Sequence, residues 1–295
     1  MTFQNPQYLV ETDWLVEHLN DADLRIIECN VGMPNYYEES SGERIEIVSG
    51  RSDYEQGHIP GSDFVDLVTE LMGQEDERCM FPLPTPEQFA DVMSRHGIGE
   101  GVRVVLYDRT MNAWAARFWW MLRTFGFEEA AVLNGGWAKW IAEGRPTSLT
   151  PSVHVPEKFV ARYRPELIAT RDEVLAAIGE ESSCIINALD PEEFAGRGPV
   201  RYGRPGHIPT SLNVPAIGLA DLDTQAYLPA ETLRKQFDTA GVFDQDRVIT
   251  YCGGGIAASS NAFILTLLGV KKVALYNGSM MEWAADPVLP LEIDS

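Results

Sequence analysis

Val248-Ile249-Thr250-Tyr251-Cys252-Gly253-Gly254-Gly255-Ile256-Ala257-Ala258-Ser259 decides how this chain is read. The first four residues form a β-branched and aromatic run suited to a buried strand. One cysteine follows, then three glycines, then a stretch that reads as a helix. Cys252 is thereby expected at a helix N-terminus, in a turn whose backbone N–H groups converge on one point. Such a setting stabilises a thiolate, or an anion carried on its sulfur. Three glycines would weaken a purely structural turn through backbone entropy. They fit a loop that curls tightly and comes close to a ligand. Cys252 is therefore the candidate nucleophile, and Gly253, Gly254, Gly255, Ile256, Ala257 and Ala258 form the loop that supplies the N–H groups. A cysteine without this setting is more often a small buried hydrophobe. Cys29 and Cys184, in or beside apolar runs, are read that way, and Cys79 also lacks the loop.

Outward from this stretch, the chain repeats itself. Gly57-His58-Ile59-Pro60 returns as Gly206-His207-Ile208-Pro209, 149 residues later. Val104-Val105-Leu106-Tyr107-Asp108 returns as Val248-Ile249-Thr250-Tyr251-Cys252, at an offset of 144, and Asn134-Gly135 as Asn277-Gly278, at 143. Three matches in one order at nearly one offset predict two homologous domains. Their expected extents are 1–148 and 149–295, joined through the proline-bearing stretch 144–158. In the first half, apolar runs at 24–29, 102–107 and 130–133 alternate with helical patterns at 86–96 and 113–125. The second half repeats this with strands at 183–188, 247–251 and 273–276 and helices at 230–240 and 256–268. The alternation predicts an α/β fold, each domain a mostly parallel sheet flanked by helices. Ile256, Phe263, Ile264, Leu267 and Leu268 share one face, so one side of that helix is expected on the sheet. Ligands in such folds bind outside the carboxyl ends of the strands, where Cys252 and Asp108 both fall.

Composition narrows the partners. The 295 residues carry 44 acidic and 23 basic side chains, a net charge of −21, which argues against nucleic acid or an anionic membrane. Four cysteines without a Cys-x-x-Cys pair or zinc spacing do not make a disulfide scaffold or a metal site. Neither a secretory leader nor a membrane-length apolar run is visible, so a cytoplasmic location is the expectation. No metal or organic cofactor is implied.

Several chemistries use a cysteine cradled by N–H groups. A phosphatase or arsenate-reductase loop would place an arginine six residues after the cysteine, where this chain has Ala258. A cysteine protease would need a histidine base in a recognisable arrangement, and none stands out. A small cradle without a fixed cation suits a persulfide, whose terminal sulfur shares its charge among the amides. The tandem Gly-His-Ile-Pro motifs, Asn134-Gly135-Gly136-Trp137, the Cys252–Ala258 loop, Asn277-Gly278-Ser279, Glu282-Trp283 and Asp286-Pro287-Val288-Leu289-Pro290 together resemble the two-domain rhodanese sulfurtransferases over nearly the whole chain. The resemblance implies a catalytic second domain and a degenerate first one, where Asp108 stands at the cysteine position and cannot form a persulfide. It also implies transfer of a sulfane sulfur from a small anionic donor, with thiosulfate ahead of 3-mercaptopyruvate, to cyanide or a thiol, as in a thiosulfate:cyanide sulfurtransferase. A non-catalytic sulfur carrier passing sulfur to a protein acceptor is the alternative from another class.

The chain departs from the pattern where the donor binds. Relatives that prefer thiosulfate often read Cys-Arg-Lys-Gly, and those that prefer mercaptopyruvate usually read Cys-Gly-Ser-Gly. Here Gly253 and Gly254 supply neither a cation nor a hydroxyl. Asn187-Ala188-Leu189 stands where relatives often have Asp-x-Arg, and Glu193 precedes Phe194 where an arginine is often found. Arg197, Arg201 and Arg204 form a basic island in an acidic chain and are the candidate anion-binding residues. His58 and His207 are read as structural turn residues, because both domains keep the motif and one keeps the cysteine. Met280, Met281 and Trp283 are expected to line or support the pocket.

Overall fold

The computed structural model describes residues 2–36, 45–74 and 76–294. In the first half the elements run β1 (Leu9–Val10), α1 (Thr12–His18), β2 (Leu24–Glu28), β3 (Val31–Gly32), β4 (Val48–Ser49), α2 (Arg51–Gln56), β5 (Ser62–Phe64), α3 (Pro86–Arg95), β6 (Arg103–Tyr107), α4 (Ala113–Thr124), β7 (Ala130–Leu133) and α5 (Gly136–Ala142). The second half runs β8 (Ile168–Ala169), α6 (Arg171–Ala177), β9 (Ser183–Asn187), α7 (Pro191–Phe194), β10 (Leu212–Asn213), α8 (Ala230–Asp238), β11 (Arg247–Tyr251), α9 (Ile256–Leu267), β12 (Val273–Tyr276) and α10 (Ser279–Ala285). Two five-stranded sheets result, ordered β1-β7-β6-β2-β5 and β8-β12-β11-β9-β10. Every pairing within them is parallel, so the two halves share one topology. Parallel strands need crossovers on both faces, and the helices supply them. Among the described residues no helix is long and apolar enough to cross a membrane.

The repeated motif has a structural cause. Tyr107 ends β6 and its hydroxyl accepts the Ile59 N–H at 3.1 Å and lies 3.0 Å from the Ser62 hydroxyl. Tyr251 ends β11 and repeats this with Ile208 at 3.0 Å and Ser211 at 2.8 Å. His58 stacks on Tyr54 and His207 on Phe194, and each Nδ1 donates to the backbone carbonyl of the residue whose ring it covers. The histidines thus lock a turn beside the central strand in both domains.

One side of α9 packs on its own sheet, as expected. Helix α9 is buried nearly all round, because α4 of the other domain packs on the side turned away from its own sheet. Its alanines and serines let the two helices approach, while Phe263, Ile264 and Leu267 fill the core at about 1.5–3 kcal/mol each. The stretch 144–158 is part of a longer connection that adheres to the first domain. Ser152 donates to Ser62, Glu157 to Ser94, and Arg164 to Thr124, all through backbone N–H groups. Phe159 meanwhile joins Phe89 and Phe127 in an aromatic cluster.

Candidate active site

Cys252 follows β11 and its side chain faces a cleft of about 370 Å³ between the domains. The residue is 3% exposed. The Gly255 N–H donates to its sulfur at 3.1 Å. Gly255 adopts φ +88°, which turns the chain from strand into helix and aims that N–H inward. Close approach explains the preceding glycines. A Cβ on Gly253 would overlap the Tyr202 ring, and one on Gly254 would lie 2.7 Å from Met80 of the first domain. The loop is braced from below. Ser279 Oγ accepts the Cys252 N–H at 3.1 Å, and the Met280 and Met281 N–H groups donate to the carbonyls of Cys252 and Gly253, each at 2.9 Å. Met280 and Met281 therefore support the loop through backbone. Trp283 instead holds the C-terminal stretch, donating Nε1–H to Pro290 at 2.8 Å.

The first domain contains the same device with its own anion in place. Asp108 is buried, and its carboxylate accepts N–H bonds from Thr110, Asn112, Trp114 and Ala115 at 2.7–3.0 Å. Burial pushes its pKa above the ordinary carboxylate value against these four bonds. A negatively charged group at this turn is thus met by converging amides. The turn after Cys252 is one residue shorter, since α4 begins five residues after Asp108 and α9 four after Cys252. In helix register, Asn112, Trp114 and Ala115 correspond to Gly255, Ala257 and Ala258. Of those three, the Gly255 N–H donates to the Cys252 sulfur.

Both domains wall the cleft. Met33, Tyr36, Met80, Met111 and Trp114 come from the first, and Leu189, Glu193, Arg201, Tyr202 and Ile217 from the second. Most of this surface is apolar. The three candidate arginines diverge. Arg201 reaches the cleft, but its guanidinium pairs with Glu193 at 2.6 Å and lies 5.0 Å from the centre of the Tyr36 ring. Burial pushes the Glu193 carboxyl up, and Arg201 offsets part of that. Arg197 is half exposed and paired with Glu192. Arg204 donates to the backbone carbonyls of Trp283, Ala284, Asp286 and Leu289, tying down the C-terminal stretch. The structure thus brings Cys252, its loop and Arg201 together, and puts Arg197 and Arg204 to other uses. Asp190, Glu192 and Glu193 leave this cleft acidic.

Sequence reading missed Tyr202, Met80 and Cys79. Tyr202 lies inside the basic island, where the arginines drew the attention. Met80 and Cys79 belong to a first-domain loop that crosses to the second domain. There Asn277 Nδ2–H donates to the Cys79 sulfur at 3.1 Å and to the Phe81 carbonyl at 3.0 Å. Burial pushes the Cys79 thiol pKa up. Nothing local in the sequence marks a contact across 198 residues. Cys29 and Cys184 are buried in the two sheets, and burial likewise raises their thiols. Among the described residues no cluster of three or more His, Cys, Asp or Glu is placed to hold a metal.

The rhodanese-like domain family matches the chain twice, over residues 11–143 and 170–286. A 3-mercaptopyruvate sulfurtransferase of Escherichia coli K12 is 34% identical, over 97% of this chain and 98% of its own. Thiosulfate/3-mercaptopyruvate sulfurtransferase 2 of Arabidopsis thaliana is 33% identical over 96% and 86%. The crystal structure of SseA from Escherichia coli, a 3-mercaptopyruvate sulfotransferase with the rhodanese fold, superposes with a TM-score of 0.78 at 31% identity, covering 92% of this chain and 98% of SseA.

Proposed function

Because the chain belongs to the rhodanese family and is a sulfurtransferase, we propose that Cys252 is the residue that carries the sulfur and that 3-mercaptopyruvate, in preference to thiosulfate, is the donor. The observation that carries the first part is the Gly255 N–H aimed at the Cys252 sulfur, in a turn of the type that surrounds the Asp108 carboxylate. The Cys252 thiolate attacks the donor's sulfur. An S–S bond forms, the donor's C–S bond breaks, and its electron pair leaves with carbon as the enolate of pyruvate, which takes up a proton. A nucleophilic acceptor, cyanide or a thiol, then attacks the outer sulfur, and the S–S pair returns to Cys252. Both steps balance without an external oxidant, as ping-pong covalent catalysis requires. The amides of Gly255, Ala257 and Ala258 stabilise the charge on the transferred sulfur.

The cleft walls and the likeness to 3-mercaptopyruvate sulfurtransferases favour this donor. Thiosulfate brings two charges into a site whose cleft arginine is already paired with Glu193. A thiol on a short carbon frame brings one, and the apolar wall of Met33, Met80 and Leu189 accepts the rest of it. This reverses the thiosulfate preference expected from the resemblance. Thiocyanate formation with each donor in turn tests it. The expected kcat/KM is at least about tenfold higher with 3-mercaptopyruvate, a difference of about 1.4 kcal/mol in transition-state binding. Equal or higher efficiency with thiosulfate would return the reading to the first expectation.

A further inference from the structure

Arg117 is a buried charge for which the reaction above has no use. It comes from α4 of the first domain and is 2% exposed. Its Nη2 donates to the Phe81 carbonyl at 3.0 Å, while Nη1 is buried without a hydrogen-bond partner. Nη1 lies 3.5 Å from the point that a Cβ on Gly255 would occupy. The guanidinium therefore backs onto the same residue whose N–H donates to the Cys252 sulfur. Among the described residues no carboxylate pairs with it, and the groups it faces are the thiols of Cys79 and Cys252. Burial lowers its pKa to about 10, which leaves it charged at neutral pH. An unpaired buried cation is unfavourable unless something nearby becomes negative.

The internal repeat supplies a control. Helices α4 and α9 begin at Ala113 and Ile256, so Arg117 stands in register with Ser260. Ser260 and Asp108 share Tyr227 as a neighbour. Next to the turn that carries its own carboxylate the helix position is a neutral serine. Next to the turn whose sulfur has to gain charge it is an arginine.

We propose that Arg117 is the counter-charge of the Cys252 sulfur, a positioning residue lent across the domain interface that favours the thiolate before sulfur transfer and the persulfide anion after it. This deepens the reading of Cys252 as the sulfur-carrying residue. Among the described residues, Asp190 and Glu192 line the same cleft, and the phenols of Tyr36, Tyr202 and Tyr251 face Cys252. Burial pushes all three up, Tyr36 and Tyr251 to about 12, so they stay neutral when the thiol ionises. Across the cleft, Arg201 is neutralised by Glu193.

The test is the pH dependence of iodoacetamide alkylation at Cys252, read by peptide mass, in wild type, Arg117→Lys and Arg117→Met. Met keeps the apolar stem and removes the charge. The Phe81 carbonyl keeps its bond from Asn277, so Arg117→Met is expected to fold and to melt no lower than wild type. Its alkylation midpoint is expected to rise by about one pH unit or more, with roughly tenfold slower reaction at neutral pH, while Arg117→Lys stays near wild type. An unchanged midpoint in folded Arg117→Met overturns the proposal. So does failure of that variant to fold, which would give the guanidinium an architectural role. Sulfur loading from 3-mercaptopyruvate, measured separately, tells the two readings apart. A shifted midpoint without loading supports the counter-charge and removes the donor reading, and loading with an unshifted midpoint does the reverse.

Discussion

Gly255 joins two requirements in one residue. Its φ of +88° lets β11 pass into α9, and its N–H faces the Cys252 sulfur at 3.1 Å. An alanine there is strained by about 1–2 kcal/mol in the left-handed region, and its Cβ would sit 3.0 Å from the Asn277 carbonyl. Gly255→Ala is therefore expected to lose about that much stability in urea unfolding and at least roughly tenfold in kcat/KM. Stability lost with kcat/KM kept would mean that the amide does not serve the sulfur. The cysteine and its glycines were legible in the sequence because a strand, one thiol and three flexible residues leave few other readings. Arg117 was not legible. An arginine such as Arg117 in Ala113–Thr124 reads as a solvated helix residue until α9 is seen to cover it.

At the level of elements, the basic island 197–204 shows what spacing alone misses. Three arginines within eight residues suggested one anion site, yet each is put to a different use. Arg204 faces carbonyls at the end of α10 and just after it, Arg197 pairs with Glu192 of α7 on the surface, and Arg201 turns into the cleft against Glu193. Replacing Arg204 by Met strands buried carbonyls and is expected to cost about 2–4 kcal/mol, with the donor KM unchanged in protein that remains folded. Arg201→Gln should do the opposite, leaving the melting temperature within a few degrees and changing the donor KM severalfold. A shift of KM in the Arg204 variant, or none in the Arg201 variant, would contradict this division. Strand and helix cores were legible because their apolar runs are long. The two-residue strands β1, β8 and β10 were not, since they pair at sheet edges with too few residues to show a period.

For the whole molecule, the repeat in the sequence corresponds to two like domains, and the cleft lies where they meet. Their junction was invisible to local reading because its contacts are long-range, as with Asn277 against Cys79. The first domain also contains a pH-sensitive brace. His96 closes α3, and its Nδ1 lies 2.6 Å from Asp63 and its Nε2 3.4 Å from Glu70. Burial works against its charge, but the two carboxylates push its pKa up to about 9. Glu70 is held down at about 2 by His96, Arg95 and the Asp66 amide, despite its burial. The His96 contribution is present below its ordinary pKa of 6.5 and is lost as pH rises through about 9. The Glu70 contribution is present above 4.5 and is lost as pH falls through about 2. His96→Gln is accordingly expected to lower unfolding free energy by about 2 kcal/mol near neutrality, the gap narrowing by about pH 10. A gap that stays constant with pH would contradict the brace.

If sulfur travels on Cys252, the intact mass of the protein records it. Wild type and Cys252→Ser are each exposed briefly to 3-mercaptopyruvate or thiosulfate without acceptor, then weighed. Wild type alone is expected to gain one sulfur atom, more completely from 3-mercaptopyruvate, and to lose it on adding cyanide. Equal gain by Cys252→Ser, or no gain by wild type with either donor, would contradict transport of sulfur on Cys252.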